Sequence, residues 1–343
     1  MAGSFFIIKG AMKRINDLYD KVTSFENLMI AAKKALKGTK SKTESLEFSF
    51  NLESNLINMQ NELVSETYEP GGYKYFKVFE PKEREIAVAP FRDRVVHHAI
   101  VNVLEPIYEK IFISDCYATR KNKGTHKAVL KAQEMIKRNE WYFKSDIRKY
   151  FPSIDQDVII SILERNIKDK RLLSLLEKVI RNGGVDGKGL PIGNLTSQFL
   201  ANVYLDRFDH YLKDELGYKY YIRYMDDFVI FDNDKEKLKE LRPKVEYFLK
   251  SELCLELKVN ATYINKRING LSFLGMRVFP KLIRINRINL KRSVKKMQIK
   301  ANLYSIGKIR DEKISQSAQS ITGYLKYFNT YQLRCDLIAK GVI

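Results

Sequence analysis

The sequence predicts an α+β fold, and three features of the chain support this class. Short segments rich in Tyr, Ile, Val and Phe, such as YYIRYMDDFVIF at residues 220–231, have the composition of strands. Longer stretches with apolar residues at helical spacing separate these segments. Hydrophobic residues make up 45% of the 343 residues, which is enough for a sizeable core, and no internal repeat or low-complexity linker interrupts the chain.

The predicted elements begin with helices. The first 70 residues are polar with a helical pattern, and they carry a basic patch at 33–42. A hairpin is predicted next, with strands near 74–79 and 84–88, and a helix follows over about 91–109. The later elements are helices at 124–138 and 155–181 with a strand at 141–147 between them, a glycine-rich loop at 183–197, a helix at 196–216, strands near 219–231, a helix at 234–252 and strands through 255–279.

The net charge of the chain indicates a polyanionic partner. Lys and Arg total 61 against 41 Asp and Glu, which gives +20. This balance favours nucleic acid first and an anionic membrane surface second. A membrane is disfavoured because no apolar run approaches the roughly 20 residues that a spanning helix needs. The start of the chain, MAGSFFIIKGAMKR, has no basic region ahead of its apolar patch and does not resemble a secretory signal.

Over half of the basic excess lies in residues 281–343, which hold 14 basic and three acidic residues. Residues 281–300 hold eight basic residues and no acid, interleaved with Leu, Ile, Val and Met at helical spacing. A single run of this kind is often only a solvated helix face. Because this run belongs to a large global excess, we favour a cradle for a nucleic-acid backbone. Its candidate contact residues are Lys291, Arg292, Lys295 and Lys296.

Cysteine and histidine usage narrows the chemistry. The three cysteines, Cys116, Cys254 and Cys335, are far apart and form no CxxC or Cys/His cluster. This pattern predicts reduced thiols in a cytoplasmic compartment rather than a disulfide framework or a zinc site. Only four histidines are present, so any chemistry is expected to depend on carboxylates.

Acidic side chains occur where strands of the predicted sheet end. Asp226 and Asp227 lie between strand-like flanks, and Asp146 ends the strand that precedes KYFPSID. An Asp-Asp pair at a hairpin tip is also ordinary turn chemistry. Three carboxylates brought together, however, repel one another and suit Mg²⁺, which completes its shell with water and substrate phosphates. We therefore predict a site for two Mg²⁺ ions, with Mn²⁺ as the alternative, of the kind that stabilises the attacking and leaving oxygens of phosphoryl transfer.

The motifs around these acids resemble those of reverse transcriptases. YMDDFVIF is similar to the YxDD box of that family, and FKSDIRKYFPSID is similar to its first carboxylate motif. Further similar segments occur in the family's order over about residues 70–335. They are EREIAVAPFRDRVVHHAIVNVLEPIYE and CYATRKNKGTHKAV of the fingers, GLPIGNLTSQFLANVYLDRFD of the nucleotide-contacting loop and helix, INGLSFLGMRVFP of the primer grip and SITGYLKYFNTYQL of the thumb.

This resemblance implies an RNA-directed DNA polymerase with a right-hand polymerase fold. An amino-terminal helical region and fingers would occupy residues 1–140. A palm of antiparallel sheet plus helices, with the YxDD site and the primer grip, would occupy 141–280, and a basic helical thumb would occupy 281–343. The partners implied are template RNA, the RNA/cDNA hybrid and deoxynucleoside triphosphates.

The loop sequence also points to one branch of the family. Most group II intron and retroviral-like members have Gln before the loop glycine and Ser-Pro after it, whereas this chain reads IGNLTSQ. IGNLTSQ and the opening LYDKVTSFENLMIAAKKALKGTKSK resemble diversity-generating retroelements of bacteria and phages. That branch copies a template-repeat RNA into cDNA with errors at adenines, with a small basic accessory protein. The alternatives are a retron, group II intron-derived or phage-defence enzyme, and a catalytically inactive RNA-binding scaffold.

The resemblance implies a role for each matching residue of the active site. Asp146 and Asp226 would be the main metal ligands, the carbonyl of Ile147 would add an oxygen, and Asp227 would support the site less directly. Phe151 would be a steric gate against the ribose 2′-OH, although core packing is the alternative. The remaining assignments are Arg84 and Lys77 at the triphosphate (or solvated strand charges), Ile192, Gly193 and Gln198 in the base-pair pocket, and Arg120 at the nucleic-acid backbone.

Two positions depart from the pattern of relatives. Ile192 stands where many members have Gln, and a branched alkyl group cannot hydrogen-bond the template and nucleotide, so we expect it to lower fidelity. Ala261 stands where a Lys is often found that protonates the pyrophosphate leaving group. Lys258, Lys266 or water could substitute, and the sequence leaves this choice open.

Overall fold

The computed structural model describes residues 14–38, 43–79, 82–326 and 328–339. The predicted lack of a secretory signal and the end of the basic patch at 33–42 concern residues outside these ranges. The described chain folds into two units, and each is built from separate stretches of the sequence. The first unit contains the chain up to Ile113, Ile147–Tyr211 and Glu246–Glu256; the second contains Ser114–Asp146, Leu212–Val245 and the chain from Leu257.

Helices dominate the first unit. Their cores are apolar: Leu28, Val96, Ile100 and Leu200 are fully or almost fully buried. The elements are α1 (Tyr19–Thr23), α2 (Phe25–Leu36), α3 (Thr43–Phe50), α4 (Leu52–Val64), β1 (Lys74–Val78), β2 (Arg84–Val88), α5 (Phe91–Ile111), α7 (Tyr150–Ser153), α8 (Gln156–Asn166), α9 (Lys170–Arg181) and α10 (Leu195–His210). Helix α5 packs against α2 and α10, and β1 and β2 form an antiparallel hairpin. The predicted helix at 196–216 ends as an α-helix at His210 and continues only as a π-helical turn.

The single helix predicted over 155–181 is wrong, because the chain breaks it into α8 and α9. Ile167 has an extended backbone at the end of α8, and Asp169 begins α9 by accepting a hydrogen bond from the backbone N–H of Leu172 at 3.2 Å. The second carboxylate oxygen of Asp169 accepts from the N–H groups of Leu18 and Tyr19, both at 2.8 Å. An Asp that caps a helix start and also ties a distant segment stabilises this break over a continuous helix.

The second unit is built on a four-stranded antiparallel sheet. Its strands are β3 (Trp141–Asp146), β4 (Tyr221–Tyr224), β5 (Asp227–Asp232) and β6 (Tyr263–Lys266), in the spatial order β4-β5-β3-β6. A second antiparallel sheet contains β7 (Leu271–Phe273), β8 (Met276–Val278) and β9 (Ile283–Ile285). Residues 283–285, which were expected to be helical, form a strand because Ile283 and Ile285 pair with Val278 and Met276 of β8.

One hydrophobic core unites the second unit. Helix α6 (Thr125–Arg138) contributes Ala132 and Ile136, the four-stranded sheet contributes Val229 and Phe231, and the three-stranded sheet contributes Phe273. The unit also contains α12 (Arg287–Ser305), α13 (Asp311–Lys326) and α14 (Tyr331–Ala339), and α11 (Lys235–Leu253) begins in this unit and ends in the first. The predicted α+β class is therefore confirmed. The assignment of residue ranges to fingers, palm and thumb stays a prediction.

Candidate active site

Three acidic residues meet at one end of the four-stranded sheet. Asp146 of β3 is the direct cross-strand partner of Asp227 of β5, so both side chains project from the same face of the sheet. Asp226 precedes Asp227 in the turn between β4 and β5, which Tyr224 and Asp227 close as a cross-strand pair. The predicted pairing of the two acidic strands is thus present.

The turn that carries Asp226 has an unusual backbone. Met225, its first residue, has φ of 57°, a left-handed conformation that is uncommon for a residue with a side chain. Such a conformation persists only where the surrounding structure imposes it. Here the flanking strands impose it, because Ile222, Phe228 and Val229 are completely buried.

Two lysines compensate the charge of the acids. The ammonium of Lys144, two residues before Asp146 on β3, donates a hydrogen bond to Asp227 in a largely buried ion pair. Lys258 Nζ lies 3.7 Å from Asp146 Oδ1 and is more exposed. Burial raises the pKa of the Asp227 carboxyl; Lys144 opposes this shift and the charge of Asp146 adds to it. The net direction is upward, as expected for a carboxylate removed from water.

A buried arginine supports the turn from within. Arg223 of β4 is 0% exposed, and its Nη1 donates a hydrogen bond to the backbone carbonyl of Met225 at 3.1 Å. Its backbone carbonyl accepts from the N–H of Tyr117, and its own N–H donates to the carbonyl of Asp115. Sequence reasoning missed Arg223 and Lys144, although a charged residue beside apolar or aromatic residues within a predicted strand is a signal that such positions offer.

The donor set fits divalent metal ions bound through few carboxylates. Among the described residues, no group of three or more His, Cys, Asp and Glu side chains is arranged to hold a metal by itself. Mg²⁺ rarely uses such an all-protein cage; one or two carboxylates plus substrate phosphates and water suffice. Asp146 at the end of β3 and Asp226 in the adjoining turn can each supply a carboxylate, whereas Asp227, on the same face as Asp146, is already paired with Lys144. The side chain of Ile147 is buried, so this residue could contribute only through its backbone.

The structure distinguishes between Lys258 and Lys266, the two lysines that could substitute for the one that many relatives have at the position of Ala261. Lys258 lies beside Asp146, and its backbone N–H donates to the Asp146 carbonyl at 2.9 Å. Lys266 is the cross-strand neighbour of Trp141, five residues away from Asp146 on β3, and its ammonium lies 3.6 Å from Glu140. At about 3.3 Å per residue, that end of the strand is far from the acids.

In the first unit, the predicted nucleotide loop is bonded to the edge of β2. The N–H of Ala87 donates to the carbonyl of Ile192 at 2.8 Å, and the Asn194 amide donates to the carbonyl of Ala87 at 3.2 Å. Gly193 has φ of 115°, and a Cβ there would lie 2.8 Å from Ile86 Cγ2. Glycine is therefore required both by the backbone conformation and by the close approach to β2.

The predicted steric gate belongs to the same network. The carbonyl of Phe151 accepts from the N–H of Leu190 at 2.9 Å, two residues before Ile192. The Phe151 side chain is only half-buried and contacts the Tyr150 ring with centroids 5.6 Å apart. It retains exposed surface, which the core-packing alternative does not require.

A glutamine that sequence reasoning missed fixes the glycine-rich loop. The buried Gln156 Nε2 lies 2.5 Å from the carbonyl oxygen of Gly183 and 3.1 Å from those of Ile180 and Gly189. Its backbone N–H donates to the carbonyl of Gly187 at 2.9 Å. One side chain therefore contacts carbonyl groups on both sides of the loop that leads to Ile192 and restrains its path.

The two cations expected at the triphosphate lie on opposite faces of the β1–β2 hairpin. Arg84 pairs with Val78 and shares a face with Ile86, the residue that approaches Gly193. Lys77 pairs with Glu85 on the other face, and its ammonium lies 2.8 Å from Glu83. Both side chains are exposed, but only Arg84 faces the same side as the Gly193 contact.

The other predicted residues lie on single elements of each unit. Gln198 is half-buried on α10 of the first unit. Arg120 of the second unit is half-buried, and its Nη1 donates to the carbonyl of Cys116 at 3.1 Å. The four candidate contact residues of the basic run are exposed on α12, whose Met297 is buried; they are Lys291, Arg292, Lys295 and Lys296.

Cys116, Cys254 and Cys335 form no disulfide within the described residues, and Cys116 is buried. Within the described ranges, none of the helices combines the length and apolar character needed to cross a bilayer.

Comparison with protein families gives a match to the model of the reverse transcriptase (RNA-dependent DNA polymerase) family over residues 77–278. Protein YkfC of Escherichia coli K12 is 26% identical over 280 residues, covering 68% of this chain and 73% of that protein. The group II intron-encoded protein LtrA of Lactococcus lactis subsp. cremoris is 27% identical over 138 residues, covering 38% of this chain. The match spans only 23% of that longer relative. Among solved structures, apo telomerase from Candida tropicalis matches with a TM-score of 0.49 and 8% identity, over 64% of this chain and 49% of that one.

Proposed function

Because the chain belongs to the reverse transcriptase (RNA-dependent DNA polymerase) family, we propose that it copies RNA into DNA at the acidic end of the four-stranded sheet. The observation that carries this proposal is the register that pairs Asp146 with Asp227 and places Asp226 in the adjoining turn. The family's chemistry needs carboxylates at one place, and this register brings them from two distant parts of the sequence.

Each acid has a distinct part in the proposed reaction. Asp146 and Asp226 would hold two Mg²⁺ ions, with Mn²⁺ as the alternative, and the carbonyl of Ile147 would add an oxygen. When bound, such ions stabilise the attacking 3′-oxygen and the leaving pyrophosphate. Asp227 would support the charge balance of the site. Lys258, whose ammonium lies 3.7 Å from Asp146, would donate the proton that the leaving pyrophosphate takes up.

The incoming nucleotide would be selected by residues of the first unit. Arg84 would bind the triphosphate, since a planar guanidinium matches phosphate oxygens, and Lys77 would have a smaller share. Phe151 would exclude a ribose 2′-OH, and Ile192, Gly193 and Gln198 would line the pocket for the base pair. The backbone of template RNA and of the RNA/cDNA hybrid would lie along exposed cations, which are Arg120, Lys291, Arg292, Lys295 and Lys296.

Within the family, we propose the branch of the diversity-generating retroelements. The support is the loop sequence IGNLTSQ, whose Ile192 is half-exposed beside Gly193 at the edge of β2. In that branch a template-repeat RNA is copied into adenine-mutagenised cDNA in the cytoplasm of a bacterial or phage-infected cell, with a small basic accessory protein as partner.

A second candidate is an enzyme related to group II introns. The observation that favours it is the similarity to the group II intron-encoded protein LtrA. The two candidates differ in the errors that their cDNA carries, because only the retroelement reading expects misincorporation concentrated at template adenines.

Primer extension on a defined RNA template, followed by sequencing of the products, tests both levels of the proposal. We expect Asp226→Asn to reduce extension by about 10³-fold or more, because several kcal/mol of transition-state stabilisation depend on the metal ligands. Asp232→Asn is the matched control, since Asp232 lies at the other end of β5 opposite Trp141.

The outcomes separate the alternatives. Extension that Asp226→Asn abolishes, with errors at template adenines, supports the retroelement enzyme. Faithful extension keeps the polymerase and favours the group II intron reading. If neither the chain alone nor the chain with the accessory protein and cognate RNA extends a primer, the proposal is wrong and an RNA-binding scaffold replaces it.

A further inference from the structure

Lys144 is a buried lysine within a strand, an uncommon position for a charged side chain. It is 8% exposed, in the middle of β3, and its side chain projects from the same face as Asp146 and Asp227. Its ammonium pairs with Asp227 and lies 5.7 Å from the centroid of the Phe273 ring. A buried ammonium needs an anionic partner, and here that partner is one of the three acids of the proposed active site.

The two lysines near the acids differ in how firmly they are held. Lys258 is 38% exposed at its side chain and stands 3.7 Å from Asp146, so it can move into solvent without losing a close bond. Lys144 has no comparable freedom, because its side chain is buried on the face of the sheet and its ammonium is in direct contact with Asp227. Its charge is therefore a fixed part of the site.

We propose that Lys144 is a built-in counter-cation that engages Asp227 and leaves the divalent metal to Asp146 and Asp226. This inference rests on the proposed function for the presence of metal at the site, and it assigns Lys144 as a positioning residue. A fixed positive charge beside the acids repels a divalent cation, so Lys144 also weakens metal binding by the free protein. Metal would then bind firmly only together with the negatively charged triphosphate.

The test measures Mn²⁺ binding to the full chain without nucleotide, by the electron paramagnetic resonance signal of the free ion. For Lys144→Met, which keeps the length of the side chain but removes its charge, we expect Mn²⁺ to bind about tenfold more tightly than to wild type. Lys213→Met is the matched control, because Lys213 Nζ forms a similarly enclosed ion pair with Asp115 Oδ2 at 2.6 Å in the same unit. Its Mn²⁺ affinity should equal that of wild type.

A second pair of variants keeps the test decisive if Lys144→Met does not fold. Asp227→Asn removes the partner and leaves the Lys144 charge uncompensated, so Mn²⁺ should bind about tenfold more weakly. Adding Lys144→Met to Asp227→Asn replaces the whole ion pair by neutral groups of similar shape, which proteins tolerate better than a single unpaired charge. Binding should then return to wild-type strength or beyond.

Unchanged or weaker Mn²⁺ binding in folded Lys144→Met would overturn the inference, as would equal affinities of Asp227→Asn and the double variant. If wild type extends primers while these affinities do not differ, only the role of Lys144 is wrong. If wild type neither binds Mn²⁺ nor extends primers, the proposed function itself is wrong.

Discussion

The β4–β5 and β1–β2 hairpins have the same antiparallel geometry, but they hold their charged residues differently. In β4–β5, most residues of the two strands are buried, and the turn is further held by Arg223. In β1–β2, every residue of β1 is exposed, and Lys77 forms its ion pair with Glu83 at the exposed surface. The packing of the protein fixes the charged residues of the β4–β5 hairpin before any ligand binds. The exposed cations of the β1–β2 hairpin can instead be rearranged by a ligand.

The difference separates two kinds of functional residue. Catalytic groups must be positioned to within fractions of an ångström, and a hairpin with two buried strands holds them that precisely. Cations that bind a mobile polyphosphate can remain exposed at little cost in free energy, because water solvates their charge until the ligand binds. Three experiments can break or sharpen this contrast.

The largest effect is expected from Arg223→Met. Without the bond from the guanidinium to the Met225 carbonyl, the left-handed turn loses the donor that restrains it, and the position of Asp226 relaxes. Misplacement of about 1 Å can reduce a rate about 10²-fold, so we expect kcat to fall by that order while the KM for deoxynucleotides stays within about twofold.

Steady-state primer extension separates kcat from KM for this variant. Arg267→Met is the control, because Arg267 also donates a hydrogen bond to a carbonyl, that of Lys137 at 3.0 Å, but away from the turn. A variant of Arg223 that raises KM and spares kcat would show that the enclosed hairpin is not what positions Asp226.

An intermediate effect is expected in the exposed hairpin. Arg84→Ala should raise the KM for deoxynucleotides about tenfold, since a charge-assisted bond to phosphate contributes about 1.5 to 3 kcal/mol. Lys77→Ala should change it less than about twofold, because Lys77 lies on the opposite face and its pair with Glu83 is exposed. Equal effects of the two substitutions would contradict the inference that mainly the Arg84 face of the β1–β2 hairpin binds the triphosphate.

The smallest effect concerns accuracy rather than rate. Ile192→Gln adds a hydrogen-bonding group at the loop that is bonded to β2, and we expect errors at template adenines to fall a few-fold as polar discrimination returns. Sequencing of the cDNA measures this, with Ile192→Leu as the control that keeps an alkyl side chain. An unchanged error spectrum in Ile192→Gln would remove this position from the explanation of low fidelity.

The sequence predicted most of the elements and the site's acids, because both follow from local signals. Segments rich in aromatic and β-branched residues indicated β3 and β5, and acids beside their ends indicated Asp146, Asp226 and Asp227. The break between α8 and α9 was missed because it depends on Asp169 accepting from Leu18 and Tyr19, about 150 positions earlier in the chain. Strand β9 was missed because three residues of pairing with β8 give almost no local pattern.

The supporting residues were missed for a similar physical reason. In sequence, Lys144 is one of many cations and Gln156 one of many polar residues at a helix start. Their importance arises from what folding brings next to them: a carboxylate for Lys144 and the carbonyls of a distant loop for Gln156. A buried polar side chain must keep its hydrogen-bond or ion-pair partner, so it restrains the structure around it. Which side chains are buried depends on the whole fold and cannot be read from the local sequence.

The hydrogen bonds of Gln156 have a consequence for building chimeric enzymes. The shape of the loop around Gly183 and Gly189 is encoded partly by a residue some thirty positions upstream, so a transplanted loop would arrive without the amide that closes it. Gly184 adds a second condition, because a Cβ there would stand 2.1 Å from the carbonyl oxygen of Lys188. The natural module for exchange between relatives is therefore the continuous segment from Phe151 to Asn194, not the loop alone.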